Sequence, residues 1–107
     1  MDLGDLIRLD AVIPAMRAAS KRQVLQELSA RAARLTTLPE REIFECLTRR
    51  ERLGSTGVGH GVAIPHATLR GLDGTVGLFA RLERPIDFEA PDDQPVALVC
   101  ALLPPDG

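Results

Sequence analysis

The chain reads as an α/β domain: a mixed β-sheet flanked by helices on both faces, with C-terminal elements missing. Three observations predict it. Apolar residues recur at helical spacing through residues 20–53, the period changes to two after the glycines at 54–61, and the apolar run Val96 to Leu103 does not alternate at all. A strand without a polar side belongs in a sheet covered on both faces, and two N-terminal helices are too few for that. The expectation is a single domain, residues 1–107, truncated at its C-terminus, whose uncovered strand face makes it self-associate, exchange elements with a neighbour or melt at low temperature.

Each element has its own signal. Ser20-Lys-Arg-Gln23 is a capping box, in which Ser20 caps the helix and Gln23 reaches back. Val24, Leu25, Leu28, Ala32 and Leu35 then form one stripe, so the first helix runs to about residue 35. Thr37-Leu-Pro-Glu40 opens the second, with Pro39 in its first turn. Ile43, Phe44 and Leu47 give the buried stripe, Arg49, Arg50 and Arg52 suit the helix C-terminus, and Gly54 stops it. Val62, Ile64 and His66 share one face of a short strand that Pro65 disturbs. Gly71 to Gly74 is a turn. From Thr75 to Leu82 the alternation is clean, with Val76, Leu78, Ala80 and Leu82 on one side. "RPIDFEAPDDQP" is a polar connection pinned by Ile86 and Phe88.

Composition removes several classes of function. Phe is the only aromatic and occurs three times, so there is no platform for stacking single-stranded nucleic acid. A net charge of −2 argues against a general nucleic-acid binder. Cys46 and Cys100 lack metal-ligand spacing and are too few for a disulfide framework, which fits a reducing compartment. The first ten residues are no signal peptide, and no apolar run is long enough to span a bilayer. A cytoplasmic protein without membrane insertion is expected.

Chemistry concentrates in "GSTGVGHGVAIPHA", residues 54–67, which holds both histidines of the chain. The glycines match neither G-x-G-x-x-G nor a P-loop. Two readings stand for the loop: a bulged turn with glycines at positive φ, or a backbone nest for an anion with Ser55, Thr56, Gly57 and Gly59 as donors. A zinc site on His60 and His66 lacks further ligands, so no metal is expected. His66 is either a hydrogen-bonded structural residue or a nucleophile. Neutral imidazole attacks phosphorus without a general base, and phosphoryl transfer to it needs mainly positioning and positive charge, which the arginines just before the loop and its backbone N–H groups supply without a cofactor.

The stretch "RRERLGSTGVGHGVAIPHA", followed by "LERPIDFEAPDDQPVALVCALLPP", resembles the enzyme IIA components of the bacterial phosphotransferase system, in the fructose/mannitol-type superfamily and nearest its nitrogen-regulatory branch. The similarity runs from about Ser20 to the C-terminus. It implies that His66 is phosphorylated by a histidine phosphocarrier protein, that Arg50 stands near the phosphoryl group, and that the output is regulatory, through partners the sequence does not identify. Many members have Asn where this chain has His60, so an auxiliary role for that second imidazole is open. The family also continues past "LLPP" with a second active-site histidine and further helices. Two other outcomes follow from the same residues: a sugar-specific carrier that passes the group to a membrane transporter component, or a docking module that does not turn over.

Overall fold

The computed structural model describes residues 9–106, which form a five-stranded mixed sheet and two helices. In chain order these are β1 (Leu9–Met16), α1 (Lys21–Leu35), α2 (Glu40–Leu53), β2 (Gly57–Gly59), β3 (Val62–Ala63), β4 (Val76–Ile86) and β5 (Val96–Leu103). Across the sheet the order is β1-β4-β5-β3-β2. β4 and β5 pair antiparallel at the centre, β1 joins β4 and β3 joins β5 in parallel, and β2 folds back antiparallel on β3.

The helices start and stop where their end groups find partners. The Ser20 hydroxyl accepts the Gln23 N–H at 3.2 Å, while the Gln23 carboxamide oxygen accepts the Ala19 N–H at 2.7 Å, one residue further back than a strict capping box requires. α2 begins one residue after Pro39, whose carbonyl accepts from Glu42 and Ile43. Its first turn carries Glu40 and Glu42 and its last Arg50 and Arg52, charges that complement the helix dipole at both ends.

Val24, Leu25, Leu28 and Ala32 of α1 meet Ile43 and Leu47 of α2 over Ile13, Met16, Leu78, Ala80, Leu82, Val99, Ala101 and Leu103 of the sheet. Ser29 lies in that interior because its hydroxyl donates to the Leu25 carbonyl at 2.7 Å. The connection after β4 is pinned as its apolar residues required, with Ile86 and Phe88 both buried.

Two features depart from the sequence reading, and a third bears on its expectation of an uncovered strand face. β1 had no anticipated strand signal, since Pro14 interrupts it; the strand sits at the sheet edge, where proline is tolerated. β4 continues past Leu82 to Ile86, because a register irregularity between Arg81 and Ile86 lets the chain re-engage β5 at Val96. The third concerns coverage. Among the described residues both helices pack on the face bearing Leu78, Ala80, Val99 and Ala101. Val12, Phe79, Leu98, Cys100 and Leu102 on the other face are half-buried or exposed. Among the described residues no helix lies over that face of β5.

The two faces should respond differently to substitution. Leu28→Ala, at a fully buried site, should lower stability by about 2–5 kcal/mol. Val12→Thr, on the open face, should stay within about 0.5 kcal/mol. Urea denaturation of both variants checks this, and equal losses would contradict the one-sided core.

Candidate functional site

The site forms where the last turn of α2 meets the chain that follows β3. β3 pairs with β5 through Val62–Leu98 and Ala63–Val99, and the same register returns at His66–Leu102. Between them lies Pro65, which has no N–H to give the ladder. Its carbonyl accepts from Leu102 at 2.9 Å, and Ala67 donates to the Leu102 carbonyl at 3.3 Å, so His66 is clamped by backbone bonds on both sides. The Ile64 peptide faces the other way, and its N–H donates to the Thr56 carbonyl at 2.9 Å.

These bonds leave the Ile64 carbonyl for the ring. His66 Nδ1 lies 2.9 Å from it, and Arg50 Nε lies 3.1 Å from His66 Nε2. A carbonyl only accepts and a guanidinium only donates. Both contacts therefore select one tautomer, with the proton on Nδ1 and the lone pair on Nε2. Arg50 is held in turn by Nη1 donating to the Gly54 carbonyl at 2.9 Å, one helical turn away. The imidazole is exposed at a cleft of about 310 Å³ that it shares with Cys46, Arg49, Arg50, Leu53, Ala67 and Thr68. Leu53, 82% exposed, gives that cleft an apolar rim.

The loop before His66 is internally bonded. The Thr56 N–H and hydroxyl both donate to the carboxylate of Glu51, which is buried in the last turn of α2. Ser55 Oγ donates to the Phe88 carbonyl at 2.7 Å and accepts the Gly57 N–H at 3.1 Å. A side chain at Gly57 would bring its Cβ within 2.8 Å of the Ala90 Cβ, so glycine there is a packing requirement. The N–H groups of Thr56 and Gly57, expected to face an anion, already have acceptors inside the protein.

Gly59, His60 and Gly61 form the hairpin between β2 and β3. His60 and Gly61 have φ of 57° and 78°, the two positive values of a type I′ turn. The His60 N–H donates to Asp92 Oδ2 at 2.9 Å. By register this turn lies beside Ala97 and Leu98, whereas His66 lies beside Leu102. Four residues of strand separate them, about 13 Å. The structure brings Arg50 to His66 and places His60 elsewhere.

Glu51 escaped the sequence reading, although one signal was there: a carboxylate in the last turn of a helix opposes the dipole and needs another reason. Lys21 supplies part of it, with Nζ 3.1 Å from both Glu51 and Glu89 and 5.5 Å from the centre of the Phe88 ring. Partial burial pushes the Lys21 ammonium down, but the bonds and charges of Glu89 and Glu51 outweigh it and leave its pKa above the ordinary lysine value. Among the described residues no group of three or more His, Cys, Asp or Glu could hold a metal ion, and no helix is long and apolar enough to cross a membrane.

The fold defines a mixed-sheet α/β protein with an exposed imidazole held beside an arginine. Residues 5–107 match the family described as "Phosphoenolpyruvate-dependent sugar phosphotransferase system, EIIA 2". The chain belongs to this family of phosphotransferase components. It is 56% identical to a "Nitrogen regulatory protein" of Bradyrhizobium diazoefficiens over 107 residues, covering all of this chain and 70% of that protein. It is 40% identical to a "Nitrogen regulatory protein" of Escherichia coli over 110 residues, covering 98% of this chain and 65% of that protein. The chain thus spans about two thirds of the length of these relatives. The crystal structure of nitrogen regulatory protein IIA-Ntr from Neisseria meningitidis superposes with a TM-score of 0.87 at 39% identity, covering 98% of this chain and 72% of that one.

The hairpin yields two expectations. His60→Asn should raise stability by up to about 1 kcal/mol, because asparagine tolerates the left-handed conformation, whereas His60→Val should lower it by about 1–2 kcal/mol. Denaturation midpoints for both variants test the turn, and a His60→Val protein as stable as wild type would contradict it. The second concerns Asp92. Backbone N–H bonds from His60 and then Gln94 hold its carboxyl below the ordinary value of 3.8. The ionised form is the bonded one, so its contribution is complete above about pH 4 and is lost as pH falls through the lowered folded value. A carboxyl titration followed by NMR should give a midpoint below 3.8, and one at or above it would remove the proposed cause.

Proposed function

We propose that the protein is a phosphoryl carrier of the nitrogen-regulatory type. His66 Nε2 accepts a phosphoryl group from a histidine phosphocarrier protein, and the phosphorylation state decides which partners the protein binds. The observation that carries the chemistry is the pair of bonds on His66, to the Ile64 carbonyl at Nδ1 and from Arg50 at Nε2. The regulatory branch rests on likeness to the nitrogen regulatory proteins at 56% and 40% identity.

In the transfer, the Nε2 lone pair forms the new P–N bond as the donor's P–N bond breaks, and the bonding pair returns to the donor's ring. The His66 proton stays on Nδ1. The ring becomes cationic as Nε2 gives up its lone pair, and the Ile64 carbonyl then accepts a charge-assisted hydrogen bond. Arg50 exchanges the ring nitrogen for the phosphoryl oxygens, while its Nη1 bond to Gly54 keeps the guanidinium at the cleft. Two guanidinium N–H groups suit two equatorial oxygens. Ser55, Thr56, Gly57 and Gly59 serve this reading by holding the loop's shape, and His60 serves it as a turn residue without a role in transfer.

Incubation with phosphoenolpyruvate and the upstream phosphotransfer proteins, read out by intact mass, tests the assignment. Wild type and His60→Ala should gain one phosphoryl group, and His66→Ala should gain none. Arg50→Ala should slow transfer by about 10²-fold, the scale for removing one preorganised donor to developing charge, and Arg50→Lys should recover little of it. A phosphorylated His66→Ala protein would falsify the acceptor, and an unimpaired Arg50→Ala would remove the role of Arg50.

A further inference from the structure

We infer that Glu51 is a positioning residue for His66: from the buried end of a hydrogen-bond chain through Thr56 and Ile64, it keeps the imidazole in the Nδ1–H tautomer and steadies the charge the ring acquires.

Three bonds run in series, joined through the backbone of Ile64 and of Thr56. His66 Nδ1–H donates to the Ile64 carbonyl at 2.9 Å, the Ile64 N–H donates to the Thr56 carbonyl at 2.9 Å, and the Thr56 N–H donates to the Glu51 carboxylate at 3.1 and 3.2 Å. Every bond points from the ring toward the carboxylate. At Ile64 and at Thr56 the acceptor and the donor belong to successive peptide groups joined through Cα, so the carboxylate acts by fixing the orientation of each peptide and by its field. The Thr56 hydroxyl adds a second bond to the same carboxylate and locks the peptide's orientation.

The position of Glu51 is a poor choice on stability alone. It is 7% exposed and lies at the negative end of the α2 dipole. Well-packed apolar residues commonly replace a buried ion pair without loss, so the Lys21–Glu51 pair does not account for the carboxylate by itself. A function at the reacting ring does. Glu51 also follows Arg50 directly, so one helical turn supplies both the cation at Nε2 and the anion at the far end of the Nδ1 chain. Arg50 and Arg49 are the charged groups in the cleft with the ring, and Glu51 opposes them from behind.

The kinetic part of this inference rests on the proposed phosphoryl transfer, whereas the tautomer does not. Nitrogen-15 NMR of the His66 ring reads the tautomer without any phosphoryl donor. Glu51→Gln should enlarge the Nε2–H tautomer and slow phosphoryl acceptance by roughly tenfold, the low end of the range for groups that orient a functional histidine. Lys21→Met leaves the Glu51–Thr56 bonds in place, so it should keep the Nδ1–H tautomer dominant. A purely structural brace would lower the melting temperature in both variants without a tautomer change confined to Glu51→Gln. If Glu51→Gln does not fold, Thr56→Ala, which loses the hydroxyl bond to the same carboxylate, decides by the same ring signals. Unchanged ring signals in the folded variant overturn the inference. An enlarged Nε2–H tautomer in a protein that takes no phosphoryl group supports the positioning and overturns the transfer reading alone.

Discussion

Proline has no amide hydrogen, and the geometry of the site depends on where that missing donor falls. At Pro65 it lies between two stretches that pair with β5 in one register. The sheet therefore grips the chain before and after but releases the peptide between. Ile64 turns its N–H to Thr56 and leaves its carbonyl within reach of the imidazole two residues on. A residue with an N–H at position 65 would draw that segment into the ladder. The ring would then lose the acceptor that decides which nitrogen is bare.

The glycine-rich loop is engaged from within. The Thr56 N–H meets Glu51, the Gly57 N–H meets Ser55 and the His60 N–H meets Asp92. The loop is a spacer of fixed shape between a helix end that carries Arg50 and a strand end that carries His66. Gly57 is required by contact with Ala90, and the hairpin beyond it holds Gly59, His60 and Gly61 at positive φ. Positive charge at the cleft comes from side chains on α2, where the helix dipole accommodates it.

Much of this was legible in the residues. Ser20 and Gln23 announce the start of α1, apolar spacing gives the buried stripes of both helices, and alternation gives the inward face of β4. The Ile-Pro-His triplet and the arginines before it mark the site, because rare residue types stand beside a conformational break. What was not legible depends on partners distant in sequence or on geometry without a composition signal. β1 lacks clean alternation and takes its identity from β4. The hairpin turn hides because His60 stands where Asn or Asp would advertise a type I′ turn. The engagement of the Thr56 N–H by Glu51 requires knowing how α2 unwinds at Gly54, which a linear pattern does not record.

The topology also has a consequence for the order of assembly. β4 and β5 are near neighbours in sequence, joined by a short connection that Ile86 and Phe88 anchor, and this pair closes early at small entropic expense. β1 opens the described chain yet pairs with β4, so both helices and the whole site loop must be looped out before its first ladder bond forms. Contacts of such long sequence separation are gained late, because loop closure precedes their reward. The edge strand is then the last to dock and the first to leave. Fraying should begin at β1, while the β5 rung beneath His66 stays protected from exchange.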